Sequence, residues 1–383
     1  MRRKVLTGLL TTAISVNPIS FGNVFAEGEQ VESRLLQEKN TVTNSIRMLG
    51  SQFPLIQAYG LVILKQPDVK IEAMNSLTNH QKFAKNNVSE WMDEYTPGLI
   101  ALNQEMMQFS TRFNNYYSRL YDLAGILKED KQAKENFVSA FSKIQGQGQT
   151  IQSSIEQTML KINYFNTLLA NDGKKLSERA EEAIKSLKGS NGNIQQLREN
   201  IKRIQVEIQV ELTKILSRPN GIIKGSINIG KQIIKTTSTT VQTKNVDFVS
   251  IESLSEELQK GSDSQVTESA YIIQQKQKEL VPMIQSLSEA QIQVTEITVV
   301  ESQIKDFMEL IKRQIMTLES VMSDWKAINE VMSQIKMNLV TDEQKGSESL
   351  QQQLIHLKKI SDETKKQTNQ FEDFVTNVEI KEV

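Results

Sequence analysis

Apolar residues recur at intervals of three and four along most of the chain, which lines them up on one face of a helix. The clearest case is Ile194, Leu197, Ile201, Ile204, Ile208, Leu212 and Ile215, a seam that faces one or two partner helices. A second ladder runs through Ile311, Ile315, Leu318, Met322, Trp325, Ile328, Met332, Ile335 and Leu339. From Thr41 the chain reads as helix, and Ser45, Ile46, Leu49, Leu55 and Tyr59 open a segment that Pro67 closes. Residues 75–95 read as a short, partly helical connection ending before Pro97, followed by a long helix from Leu99 toward Leu127. Helical spacing continues over 129–187, weakened in the middle by Gly146 and Gly148, and stops at the turn Gly189-Ser190-Asn191-Gly192. The seam helix ends at Pro219-Asn220-Gly221. Helix returns near Asp263, with Pro282 as a kink or close to a helix start, and Leu350 to Phe374 forms a last amphipathic helix after the turn at Lys345-Gly346-Ser347. Helices of this length cannot each bury a stripe in a small globule. The expected fold is mainly α, an elongated antiparallel bundle of long helices.

One stretch breaks the period. Over residues 221–252 glycines and β-branched residues replace the helical spacing. Ile227, Ile229 and Ile233 alternate with Asn228 and Gln232, and Val246 and Phe248 flank Asp247 beyond a Thr/Ser-rich tip. Two short strands joined by a polar tip fit this, although Ile233-Ile234 and Phe248-Val249 put apolar groups on both faces. The domain plan is therefore a helical-bundle tail from 41–218 and 263–383, with a head insertion at 219–262 that carries the hairpin. An amphipathic hairpin has to cover its apolar face on the bundle, on a partner or in lipid, and the pattern alone leaves a structural cap and a membrane or partner element equally open. A lone hairpin cannot span a bilayer, because its edges leave backbone groups unpaired; a closed ring of hairpins satisfies them.

Residues 1–26 belong to targeting. Arg2, Arg3 and Lys4 precede an apolar stretch from Val5 to Val16, and Val24-Phe25-Ala26 predicts cleavage of a secretory signal peptide between Ala26 and Glu27. Residues 27–40 are charged and aperiodic and read as a flexible arm. Loss of the three N-terminal cations takes the net charge from −1 to −4, which gives no reason to expect nucleic acid as a partner. The chain has no cysteine and two histidines, His80 and His356, so thiol catalysis, disulfides and cysteine-ligated metals are excluded. There is no HExxH, no phosphate-binding loop and no nucleophile elbow. Gly146-Gln147-Gly148 has no strand before it and is no dinucleotide turn. Both histidines read as lone surface residues, and Trp91 with Tyr95 reads as a packed corner of the bundle. No enzyme, cofactor or metal site is expected.

An exported, cysteine-free helical rod with one β-rich insertion resembles the α-helical pore-forming toxins of the cytolysin A type. The run from Ser45 to Leu64, with Leu77-Thr78-Asn79-His80-Gln81-Lys82-Phe83-Ala84-Lys85, Ile223 to Lys231 and Lys365 to Asn377, is more specifically similar to the haemolysin BL and non-haemolytic enterotoxin components of the Bacillus cereus group. The resemblance extends with interruptions from about residue 44 to 380. It implies an elongated helical tail and a small head with a β-tongue. It also implies a secreted toxin subunit, monomeric in solution, that joins two sibling components on the target-cell membrane as a hetero-oligomer and completes a lytic pore. The membrane- or partner-facing tongue would comprise Ile227, Ile229, Ile233, Ile234, Val241, Val246, Phe248, Val249 and Ile251. Lys231, Lys235, Lys244 and Asp247 interrupt it, and each charge costs about 2.5–3.5 kcal/mol at the centre of an inserted helix, whereas a strand can turn them to a wet lumen. The competing expectation is a secreted helical scaffold or adhesin whose hairpin only caps the bundle.

Overall fold

The computed structural model describes residues 45–71, 74–187, 193–216, 225–236, 244–252, 264–284, 287–341 and 347–382. The cleavage site at Ala26 and Glu27, the arm at 27–40 and Val241 of the hairpin tip lie outside these residues. A helical lead-in at 45–51 runs into α1 (Phe53–Lys65). Then come α2 (Asn75–Glu90), α3 (Thr96–Gly125), α4 (Lys131–Ser186) and α5 (Asn193–Leu216). Strands β1 (Gly225–Thr236) and β2 (Lys244–Glu252) follow, then α6 (Ser264–Ile284), α7 (Glu289–Thr341), α8 (Ser347–Thr376) and a short β3 (Val378–Glu382).

The 56 residues of α4 and the 53 of α7 make rods of about 84 and 80 Å. They pack on each other along the bundle, with α3 and α8 paired at one end and α5 and α6 at the other. Every member of the α5 seam is buried, from Ile194 to Ile215, and so is the α7 ladder from Ile311 to Ile335; Leu339 is half-buried. Asp130 starts α4 by accepting from the backbone N–H groups of Gln132 and Ala133 at 2.8 and 3.2 Å, which satisfies donors left free at a helix start.

Four expectations need correction. Residues 75–95 are not a short connection but fully helical, and they run through a π-helical turn at Trp91–Tyr95 directly into α3. Pro97 does not end the helix. It sits in the first turn of α3, where its missing N–H is tolerated, and the preceding turn widens so that Thr96 N–H bonds Trp91 C=O. Gly146 and Gly148 do not weaken α4, because Gly148 is a contact point: its bare carbonyl accepts from Trp325 Nε1 at 2.8 Å and Asn329 Nδ2 at 3.2 Å. Pro282, expected as a kink or near the start of the longer helix, lies inside α6 close to its end and ahead of α7. Finally, the tail is not helical to its end, since Val378–Glu382 forms β3.

Trp91 is buried, stacked on Tyr95 at 5.3 Å between ring centroids and packed on Phe165 at 5.5 Å. It is a corner of the bundle. Both histidines are half-buried rather than on the open surface, and the ring of His80 lies edge-on to Phe83.

Candidate functional site at the root of the hairpin

β1 and β2 pair antiparallel from Asn228 opposite Glu252 to Thr236 opposite Lys244. β3 pairs in parallel with the first residues of β1, from Gly225 beside Val378 to Ile229 beside Glu382, so the strand order is β2-β1-β3. The ribbon thus has a root, where three strands meet the helices, and an outer part of two strands only.

The root is apolar on both faces. Ile227, Ile229, Phe248, Val249 and Ile251 are all buried. Tyr59 and Val62 of α1, Gln205 and Ile208 of α5, Leu280 of α6 and Val299 of α7 surround Phe248 and Ile251. Burying a side chain of this size contributes about 1.5–3 kcal/mol, so these five residues supply most of the attraction that docks the root. Ile233, Ile234 and Val246 lie in the paired strands farther out. Lys231 and Asp247 are diagonal neighbours on one face, and their side chains meet at 2.6 Å.

The outer edge of β2 is closed by side chains. In an antiparallel ladder alternate residues turn their N–H and C=O away from the partner strand. Val249 does so, and its N–H donates to Gln66 Oε1 at 3.3 Å. Its carbonyl accepts from Gln66 Nε2 and from Gln303 Nε2, each at 2.9 Å. Gln66 also donates to Gln303 Oε1. Two buried amides therefore do what a neighbouring strand would do, and the edge is not left bare. Gln66 is held in turn. It follows α1 with an extended backbone imposed by Pro67, and buried Gln81 of α2 bonds both Pro67 C=O, at 3.0 Å, and Val69 N–H, at 2.8 Å. Lys65 at the end of α1 pairs with Glu382 of β3.

Beside this clamp lies a cleft of about 50 Å³ lined by Gln66, Asp68, Asp247, Phe248, Glu296 and Val299, among others. Burial, with the charge of Asp247, raises the pKa of Glu296 to about 7. Asp68, by contrast, is held below its ordinary value by its hydrogen bond to Lys85 at 3.0 Å. Deeper on α7, burial raises Asp306 to about 7 and Asp324 to about 6, the latter despite a 2.6 Å bond from Ser45 Oγ. Sequence reasoning found the hairpin but not Gln66, Gln81, Gln303, Glu296 or β3. The available signal was weak: Glu296, Val299 and Gln303 are spaced to share one helix face, and Gln66 precedes a proline.

Residues 36–211 match the family model of the Bacillus haemolytic enterotoxin (HBL). The matched stretch spans somewhat under half of the chain. The chain's fold is shared with soluble SmhA of the tripartite α-pore-forming toxin Smh from Serratia marcescens, at 15% identity over 90% of this chain and 97% of that one, with a TM-score of 0.72. The HblL1 toxin component of Bacillus cereus superposes with a TM-score of 0.68 at 12% identity, over 86% of this chain and 95% of its own. Soluble AhlB of the tripartite toxin AHL from Aeromonas hydrophila gives 0.66 at 15% identity, over 89% and 95%. A comparison with curated protein sequences finds no match. Among the described residues no helix is long and apolar enough to cross a membrane.

Proposed function

We propose that this chain is a secreted subunit of a multi-component pore-forming enterotoxin of the HBL type, and that its β1–β2 tongue leaves the head on the target-cell membrane to complete a lytic pore with two sibling components. The observation that carries the proposal is the root: a hairpin apolar on both faces, docked non-covalently on four helices. Such a surface is stable when buried in the head and equally stable when buried in lipid or against neighbouring subunits. The tongue residues are Ile227, Ile229, Ile233, Ile234, Val241, Val246, Phe248, Val249 and Ile251, and Lys231, paired with Asp247, is exposed in the docked head. Secretion rests on residues 1–26, and the sibling requirement on the tripartite toxins that share the fold.

The test is dye release from cultured epithelial cells by residues 27–383, alone and after preincubation with the two sibling proteins. Release only in combination supports a partner-dependent subunit. Release by the chain alone keeps the pore and removes the partners, and no release in any order of addition by folded protein favours a hairpin that only caps the bundle.

A further inference from the structure

One oxygen of Asp247 is taken and the other is not. Asp247 Oδ2 meets Lys231 Nζ at 2.6 Å, while Oδ1 is buried without a hydrogen-bond partner. Glu296 of α7 lines the same cleft as Asp247. Among the described residues lining it, the charged side chains are Asp68, Asp247 and Glu296. Asp68 is paired with Lys85 of α2, and Asp247 with Lys231 of β1, so no described cation in the lining neutralises Glu296. A buried acceptor without a donor is costly, and two carboxylates on the lining of one small cleft repel each other. The repulsion between the two carboxylates is removed when Glu296 carries a proton.

We propose that Glu296 and Asp247 form a proton-operated brake on the tongue, closed in acid and released toward neutral pH. The sign follows from burial. With the tongue docked, burial and the charge of Asp247 raise Glu296 to about 7. With the tongue away, Glu296 meets water and returns to its ordinary value of 4.5. The docked state therefore binds the proton more tightly, and docking weakens as pH rises between those two values. The tongue is held at mildly acidic pH and loosened at neutral pH, the reverse of a trigger that opens in acid. Asp306 and Asp324 titrate in an overlapping range, but they lie deeper along α7 and outside the lining of this cleft, so a substitution at Glu296 isolates the brake.

The inference rests on the reading that the tongue undocks, yet its test needs neither membrane nor siblings, so failure of lysis and failure of the brake are separate results. Amide hydrogen exchange over β2 is measured on the full secreted chain and on Glu296→Gln, side by side at about pH 5 and about pH 7.5. The substituted amide keeps the shape and a donor but cannot ionise. At the higher pH the variant's β2 amides should exchange about a hundredfold more slowly than those of the native chain, and at the lower pH the two should agree within about fivefold. A ratio that is the same at both pH values overturns the proposal. Should Glu296→Gln lose its helical fold, Asp247→Asn in the same assay decides: burial, the larger cause of the shift, remains, so removing the opposing charge should make the pH profile of β2 shallower than the native one, and a profile as steep as the native one overturns the brake.

Discussion

The amide clamp on Val249 makes a quantitative prediction. Replacing Gln66 by Leu keeps most of the side-chain volume and deletes both bonds from Gln66 to Val249 and the one to Gln303. Val249 C=O retains Gln303 Nε2, but its N–H is left buried without an acceptor, and Gln303 Oε1 loses its donor. A net hydrogen bond is worth about 1 kcal/mol and a stranded buried polar group costs about 1–3 kcal/mol, so the docked root loses about 3 kcal/mol after the apolar gain of leucine. At about 1.4 kcal/mol per tenfold, that raises the undocked fraction by about a hundredfold. Hydrogen exchange reads it directly: amides of β2 and the root of β1 should lose about two decades of protection, while those of α8 keep theirs. Gln303→Leu should act in the same direction but more weakly, because Val249 N–H keeps its partner. Unchanged β2 protection in Gln66→Leu would refute the clamp. An equal loss in every helix would show that Gln66 supports the bundle as a whole and not the tongue.

Other consequences are simpler to state. Ile229→Asp or Phe248→Asp buries a charge at the root, so dye release should disappear and β2 protection should collapse while helical circular dichroism stays near native; normal lysis would remove the tongue from the mechanism. Gly50→Ala should lower Tm, because the added Cβ would lie 2.8 Å from the backbone of Phe371 and must push α8 away at a cost of about 1–3 kcal/mol; an unchanged Tm would mean that this contact yields freely. Burial raises Asp306 and Asp324 in the folded state to about 7 and about 6, so their contribution to stability is fully present below their ordinary pKa of 3.8 and is lost as pH rises through those values. Tm should therefore fall between about pH 5 and about pH 7.5, and Asp306→Asn should flatten that fall, whereas a steeper fall in the variant would contradict the burial argument.

What the chain's pattern disclosed, and what it hid, follows from range. The α5 seam and the α7 ladder are local signals repeated over many turns, and helix formation with burial of that stripe is the one arrangement that satisfies them. Pro97 and Gly148 are local signals too, but tertiary contacts overrule them: a widened turn absorbs the proline, and the glycine gives Trp325 and Asn329 access to a helix carbonyl. β3 does alternate, Val378 and Ile380 against Glu379 and Lys381, but so short and charged a segment cannot be declared a strand when the partner is about 150 positions away. The clamp is hidden for the same reason. Gln66, Gln81 and Gln303 look like ordinary solvated glutamines until the fold brings them to one strand edge and one turn.

The rod and the tongue are held by different kinds of polar contact, and the difference bears on how one can move while the other stays. In the rod, buried Glu301 of α7 sits among Arg198 and Lys202 of α5 and Lys305 of its own helix, at 3.3, 3.7 and 2.7 Å. Burial alone would raise its pKa, but the Lys305 hydrogen bond and the three positive charges more than offset this and hold it below the ordinary value. Removing one partner of such a group costs about 3–5 kcal/mol, because a buried charge is left uncompensated. At the tongue root the edge contacts are neutral amide hydrogen bonds, each worth about 1 kcal/mol and each replaceable by water or by another strand. A membrane or a neighbouring subunit that offers the root's apolar residues an equal burial has only those few contacts to overcome before the hairpin leaves. The same surface would have to break the Glu301 network to part α5 from α7. On the proposed function, the tongue is therefore the element to leave while the long helices remain packed.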